Sequence, residues 1–127
     1  MINIDDLLGV PYKTNGRSKY SGFDCYGLAI EVSKRFGHEI PDIEKAREKD
    51  YDFDECQKLV LKKIKVKEIE TPQTEGDIVL ITQLNGAFTH IGIYLGNDLI
   101  IHCDRRGVRV EKQYMLKGMI GRVYKWL

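Results

Sequence analysis

One cysteine stands where a turn gives way to a helical apolar pattern, in the stretch SGFDCYGL at residues 21–28. Apolar residues recur from it at helical spacing: Cys25, Leu28, Ala29, Val32 and Phe36. Ser21 and Asp24 resemble a capping box, which places Cys25 in the first turn of a helix. Unpaired N–H groups and the helix dipole lower a thiol pKa there, and a thiolate attacks carbonyl carbons. A small core cysteine is the alternative that this stretch leaves open.

Two of the three histidines lie at the ends of neighbouring strand-like segments. His90 opens one apolar run, and His102 closes the next, after a turn at residues 96–98. A cysteine at a helix start, a histidine as base and a second polar group that orients the base are the parts of a nucleophilic triad. A lone strand histidine is more often structural. Three such residues in one short chain indicate nucleophilic catalysis.

Whether His102 can orient His90 depends on the register of the hairpin that joins them. Side chains alternate along each strand, so a three-residue loop pairs Gly92 with His102 and puts both histidines on one face. A two-residue loop at 97–98 turns His102 to the other face unless a bulge shifts one strand. We therefore expect an odd loop or a bulge, with a His102 ring nitrogen within hydrogen-bond reach of His90 and room for the ring at Gly92.

Length and composition indicate one soluble globular domain over residues 1–127, with 43% hydrophobic and 31% charged residues. The net charge of +1, from 20 basic and 19 acidic residues, disfavours nucleic acid or an anionic membrane as a partner. The chain has no apolar run long enough to span a bilayer, and its acidic start resembles no export signal. We expect a cytoplasmic or virion-associated protein, monomeric or part of a larger assembly.

The cysteines carry no metal or disulfide signature. Cys25, Cys56 and Cys103 are odd in number and far apart, so their spacing indicates neither a disulfide framework nor a zinc ribbon. His102 and Cys103 are strand neighbours whose side chains point to opposite faces, so they should not converge on one ion. We expect Cys103 in the core, and neither a metal nor another cofactor.

The character of the chain changes at Pro72. Before it, we expect a helical turn at 5–8, the helix that starts at Cys25 and ends at Gly37, and a solvated His38. We also expect a charged connector or short helix at 41–55 and a helix over 54–64. After it, strand-like runs lie at 77–82, 89–95, 99–103, 108–111 and 121–126. Helices followed by an antiparallel meander give an α+β fold. The cysteine and the histidines then meet between the two halves.

The motifs resemble those of the NlpC/P60 cysteine peptidases over residues 8–112. They are, in order, Val10-Pro11-Tyr12, Gly22-Phe23-Asp24-Cys25-x-Gly27-Leu28, Gly76-Asp77-Ile78-Val79, His90-Ile91-Gly92-Ile93-Tyr94-Leu95-Gly96 and Ile101-His102. The resemblance implies a papain-like α+β fold in which N-terminal helices pack on a C-terminal antiparallel sheet of about five strands. It also implies cleavage of a peptide or isopeptide bond, most often in peptidoglycan stem peptides.

The resemblance assigns roles to single residues. Cys25 would be the nucleophile, His90 the base and His102 the third polar residue of a Cys-His-His triad. Tyr12 would line the active site, and Asp24 would help to hold the site or the substrate amine.

Tyr26 follows the nucleophile at a position where cell-wall members of the family usually carry serine. We expect Tyr26 and Tyr12 to narrow the groove beside the nucleophile, with packing against the sheet as the alternative. An aromatic residue there and the closing segment 122–126 resemble phage-tail members of the family. Two other functions stay open: a non-catalytic structural or binding module such as a phage tail component, and an acyltransferase or amidase with the same triad.

Overall fold

The computed structural model describes residues 2–42, 60–82, 88–116 and 118–127. These ranges contain helix α1 (Cys25–Arg35), a 3₁₀ helix (Gln113–Leu116), helical residues at 60–63, and eight strands. The strands are β1 (Arg17–Ser18), β2 (Gly22–Phe23), β3 (Val66–Ile69), β4 (Ile78–Thr82), β5 (Phe88–Gly96), β6 (Leu99–Asp104), β7 (Gly107–Lys112) and β8 (Ile120–Trp126). None of the helices in these ranges is long and apolar enough to cross a membrane.

Six strands form one antiparallel sheet in the order β3-β8-β4-β5-β6-β7, and β1 pairs with β2 in a small second sheet. The predicted α+β class is therefore confirmed, but the expected five strands are six. The additional strand is β3, at the edge of the sheet, where Lys67 and Glu68 are exposed and Val66 and Ile69 are half-buried. As an edge strand, β3 pairs on one side only, with β8.

Helix α1 covers one face of the sheet. Its apolar side chains Leu28, Ala29 and Val32 are buried and join a core with sheet residues such as Ile91 and Ile101. Each fully buried leucine, isoleucine or valine side chain contributes about 1.5–3 kcal/mol. This contact fixes the start of α1 against β5 and β6.

A second, smaller cluster lies away from this core and includes Tyr94, Ile100, Leu116 and Val123. Ile100 of β6 belongs to it, whereas its neighbour Ile101 belongs to the helix-facing core. The sheet thus buries apolar side chains on both faces.

The N-terminus of α1 differs in detail from the predicted capping box. Asp24, not Ser21, is the N-cap: its extended backbone has φ −90° and its carboxylate accepts a hydrogen bond of 2.7 Å from the N–H of Gly27. Ser21 lies too far upstream to cap. Cys25 is therefore the first helical residue, which confirms its predicted place in the first turn.

The C-terminus of α1 is a Schellman motif. Gly37 adopts φ +88°, its N–H donates to the carbonyl of Lys34 (3.0 Å), and the N–H of His38 donates to the carbonyl of Ser33 (2.9 Å). The predicted end at Gly37 is confirmed. His38, expected in solvent, is instead half-buried because its ring stacks on that of Trp126 at a centroid distance of 4.4 Å.

The hairpin between β5 and β6 has a two-residue turn and a bulge. Asn97 and Asp98 have φ of +52° and +61°, as a type I′ turn requires, and Gly96 pairs with Leu99. A register shift between Tyr94 and Gly96 then restores the pairing of Gly92 with His102. The predicted bulge is confirmed.

Several expectations fall partly on residues outside the described ranges. Of the charged connector at 41–55, only residues 41 and 42 are described, and of the helix expected over 54–64, residues 60–63 are helical. Residues 5–9 form turns, in line with the short opening element.

Candidate active site

A cavity of about 360 Å³ opens where the start of α1 meets the β5–β6 hairpin. It brings together residues from distant parts of the chain, including Tyr12, Cys25, His90, His102, Asp104, Arg105, Arg106, Glu111, Leu116 and Met119. All three predicted triad residues line it. The roles of these residues remain predictions, whereas their common location is a structural fact.

The two histidine rings are in direct contact. His90 Nε2 and His102 Nδ1 are 2.8 Å apart, and the rings meet edge to face at 85° with centroids 5.0 Å apart. This confirms the predicted hydrogen bond. Gly92 makes room for it, because a Cβ at this position would lie 3.5 Å from the Cβ of His102 and 2.8 Å from a methyl carbon of Ile100.

Cys25 does not carry the acidic thiol that its helix position predicts. Burial raises the pKa of the Cys25 thiol to about 12, and the negative charge of Asp24 raises it further. The backbone N–H groups of Ile91 and Tyr26 act in the opposite direction but do not outweigh burial. The Cys25 side chain is therefore a neutral thiol, and the expectation of a lowered pKa is wrong.

His90 is also uncharged at rest. Burial lowers its pKa to about 4, with a further contribution from the neighbouring His102. Burial lowers the pKa of His102 too. A neutral imidazole can accept a proton, so the pair has the protonation state that a general base needs near neutral pH.

Cys25 and His90 are related through the cavity and through the start of β5. Both line the cavity, and the Ile91 N–H that faces the thiol follows His90 directly in β5. Because Nε2 of His90 bonds to His102, Nδ1 is the ring atom that remains to accept a thiol proton. Within the described ranges, the hydrogen bonds include none between Cys25 and His90. Such bonds often tighten only when substrate is bound.

Asp24 is engaged in holding the start of α1. Its Oδ1 accepts from Gly27 N–H and lies 2.8 Å from Nη1 of Arg17, which also pairs with Asp42 at 3.2 Å. These contacts fix the turn that carries Cys25. Of the two roles that the resemblance implied for Asp24, they favour the support of the site.

Tyr12 and Tyr26 lie in different environments. Tyr12 lines the cavity, and the guanidinium of Arg105 lies 5.9 Å from its ring centroid. Tyr26 is buried at 4% exposure, its hydroxyl donates to the carbonyl of Pro41, and Arg17 lies over its ring at 5.5 Å. Tyr26 is not among the cavity-lining residues, so its surroundings favour the alternative of packing over the predicted narrowing of the groove.

Cys103 is fully buried, and its Sγ donates to the carbonyl of Phe23 at 3.2 Å, which confirms it as a core residue. Among the described residues, no group of three histidine, cysteine, aspartate or glutamate side chains is placed to hold a metal ion.

Charged residues of β7 reach the histidine pair and were not predicted from the sequence. Glu111 Oε1 lies 3.5 Å from His102 Nε2, and Arg109 Nη2 lies 2.5 Å from the same oxygen and 2.9 Å from Asp104 Oδ2. The signal was the alternation of β7, which places Arg109 and Glu111 on one face. This alternation points to the site only once the pairing of His102 with Arg109 is known.

Comparison with known proteins agrees with this geometry. The model of the NlpC/P60 family matches residues 9–124. The chain is 33% identical over 103 residues to the bifunctional muramidase/DL-endopeptidase CwlT of Bacillus subtilis, covering 80% of this chain and 27% of that protein. It is 28% identical over 110 residues to the murein DD-endopeptidase MepH of Escherichia coli, covering 82% of this chain and 35% of that protein. The chain thus spans about a quarter to a third of the length of these relatives.

Solved structures show the same fold. An NlpC/P60 family protein from Bacillus cereus superimposes with a TM-score of 0.64 at 23% identity, covering 95% of this chain and 37% of that one. The NlpC/P60 domain of the peptidoglycan hydrolase SagA gives 0.58 at 20% identity, covering 94% and 89%. The match to the family model extends over nearly the whole chain, and the chain therefore belongs to the NlpC/P60 family.

Proposed function

We propose that this protein is a cysteine hydrolase that cleaves a peptide or isopeptide bond in peptidoglycan stem peptides. The observation that carries the proposal is the cavity in which Cys25 lies beside the hydrogen-bonded pair of His90 and His102. The substrate class is supported by the relatives, of which one is named a murein DD-endopeptidase and another a DL-endopeptidase.

In the proposed mechanism, His90 acts as a general base on the thiol of Cys25. The raised pKa of Cys25 and the lowered pKa of His90 disfavour a thiolate–imidazolium pair at rest. Proton transfer therefore accompanies bond formation: Sγ attacks the carbonyl carbon of the scissile bond while the thiol proton passes to Nδ1 of His90.

The backbone N–H of Cys25, at the start of α1, stabilises the oxyanion that develops. His90 then returns its proton to the leaving amine as the C–N bond breaks, which leaves a thioester on Cys25. In the second half, water loses a proton to His90 and attacks the thioester carbonyl. The C–S bond breaks, and the sulfur regains the proton.

The test is digestion of purified peptidoglycan and of its isolated stem peptides, with product analysis by mass spectrometry. We expect new amine and carboxylate ends from the wild-type chain and none from Cys25→Ala. Alanine fits the first turn of α1, so thermal unfolding should show an intact fold.

Cys56→Ala is the matched control, since it removes a thiol to which no role is assigned. Equal activity of Cys25→Ala and wild type would overturn the proposal, as would an inactive wild-type chain on every stem peptide. Products in which the acyl group is joined to an added amine would identify acyl transfer instead of hydrolysis.

A further inference from the structure

The outer ring nitrogen of His102 faces a carboxylate. His102 is 3% exposed, its Nδ1 is occupied by His90, and its Nε2 is buried without a hydrogen-bond partner among the described residues. The carboxylate oxygen Oε1 of Glu111 lies 3.5 Å from this Nε2. This distance is at the outer limit of a hydrogen bond, so the contact is mainly electrostatic.

The sheet register fixes this arrangement. His102 of β6 pairs directly with Arg109 of β7, and Glu111 stands two residues further along β7 on the same face. Residues in this diagonal relation are within reach of long side chains. Arg109 bonds to the same Glu111 oxygen and, through Asp104, to the end of β6. Arg109, itself anchored by Asp104, therefore holds the Glu111 carboxylate in place.

The hydrogen bond between the two histidines can form in two tautomeric arrangements, which differ in the ring that donates. In one tautomer, His90 Nε2–H donates to His102 Nδ1, so that Nδ1 of His90 is free to accept a proton and His102 carries its own proton on Nε2. In the other tautomer, His102 Nδ1–H donates to His90 Nε2. His90 then has its proton on Nδ1 and cannot act as a base, while the bare Nε2 of His102 faces the Glu111 carboxylate. The lone pair on this nitrogen and the negatively charged carboxylate repel each other, so the second tautomer is disfavoured.

We propose that Glu111 is a positioning residue that selects, through His102, the tautomer in which Nδ1 of His90 is unprotonated. The selection follows from the geometry of the His102–Glu111 contact alone. Its consequence for the reaction rests on the proposed function, in which that nitrogen accepts the thiol proton.

Arg109 has the opposite electrostatic effect on the pair. The charged groups that face the two rings are Glu111 and Arg109 of β7 and Asp104 at the end of β6, and Arg106 lies 3.9 Å from Glu111. Glu111 and Asp104 raise the pKa of His102, whereas Arg109 lowers the pKa of both histidines. Removal of Glu111 and removal of Arg109 should therefore shift the titration of the pair in opposite directions.

The first test needs no substrate. Nitrogen NMR of protein labelled in its histidines distinguishes protonated from bare ring nitrogens near neutral pH. We expect protons on Nε2 of both His90 and His102 in the wild type, and a mixture of tautomers in Glu111→Gln, whose side-chain amide can donate as well as accept. Glu111→Asp, which keeps the charge, should retain the wild-type tautomer in part. A bare Nε2 on His102 in the wild type would overturn the proposal.

The second test uses the pH profile of kcat/KM on the substrate found for the wild type. Glu111→Gln should lower kcat/KM roughly ten-fold and move its acid limb to lower pH by about one unit, and Arg109→Gln should move that limb to higher pH. Glu68→Gln, exposed on β3 at the opposite edge of the sheet, is the matched control and should change neither.

The outcomes separate this inference from the proposed function. A wild-type chain without hydrolase activity removes the proposed function but leaves the tautomer measurement intact. If Glu111→Gln loses activity with an unshifted acid limb and an unchanged tautomer, Glu111 has a structural role only and the proposal is wrong. Should Glu111→Gln fail to fold, the wild-type tautomer and the Arg109→Gln profile still decide.

Discussion

Cys25 and Tyr26 are adjacent in the sequence and lie in different environments. Cys25 is partly buried at the cavity, whereas Tyr26 is buried in the core and its hydroxyl donates to the carbonyl of Pro41. The side-chain direction at the start of α1 depends on how the helix docks on the sheet, which the local sequence does not encode. The raised pKa of Cys25 has the same origin, since a helix position predicts a dipole but not the extent of burial.

Replacement of Tyr26 by phenylalanine should therefore affect stability and not substrate choice. Tyr26→Phe keeps the ring under Arg17 and removes the hydroxyl that satisfies the carbonyl of Pro41, so we expect a loss of about 1 kcal/mol in the free energy of unfolding. Urea denaturation measures this loss.

Tyr20, which is 89% exposed, offers a matched control. Tyr20→Phe should leave the free energy of unfolding unchanged. An altered preference among stem peptides in Tyr26→Phe would show that Tyr26 does contribute to the groove.

Among the strands, β5 and β6 can approach closely because residue 92 is a glycine. A Cβ at this position would lie 2.8 Å from a methyl carbon of Ile100 and 3.2 Å from the carbonyl oxygen of Ile101. Gly92→Ala should therefore push the strands apart, with a loss of about 1–3 kcal/mol in stability and a longer His90–His102 distance. The loss of activity should exceed what the remaining folded fraction explains.

Gly37→Ala provides the comparison for Gly92→Ala. It forces alanine into φ +88° at the end of α1, which costs stability, but a Cβ there meets nothing within 4 Å. We expect this variant to lose stability and to keep its specific activity. If both variants lose activity in proportion to stability, Gly92 has no particular role in the histidine contact.

The elements also show what the sequence could and could not predict. Short apolar runs between turn signals predicted β4, β5 and β6, and the glycine after α1 predicted its end. The hairpin turn was ambiguous, because a three-residue loop and a two-residue turn with a bulge give the same pairing of Gly92 with His102. The position of Glu111 beside His102 could not be predicted, because it depends on the pairing of β6 with β7 and not on any motif.

The histidine pair also affects the stability of the whole molecule. The pKa of His90 is about 4 in the folded protein and 6.5 for an exposed histidine, so the unfolded chain takes up a proton at a higher pH than the folded one. The contribution of neutral His90 to the free energy of unfolding is therefore intact above pH 6.5. It is lost as pH falls towards 4, by about 3 kcal/mol in total. His102, whose pKa is also lowered, acts in the same direction.

Urea denaturation at a series of pH values measures this loss, and the loss should be smaller in His90→Asn. Basic partners hold the carboxyl pKa values of Asp6 and Asp104 low, so the stability that these two groups contribute is lost mainly below about pH 4. A free energy of unfolding that stays constant between pH 4 and 6.5 would contradict the assignment of a buried neutral His90.

The division of the cavity between α1 and the β5–β6 hairpin has a consequence for the order of folding. Cys25 is synthesised before His90 and lies far from it in the sequence, so the two cannot meet until a long loop has closed. Closure of such a loop is entropically costly and slow compared with the formation of the helix or of the local hairpin. Cys25 and His90 therefore come together only with the slow long-range contacts of folding.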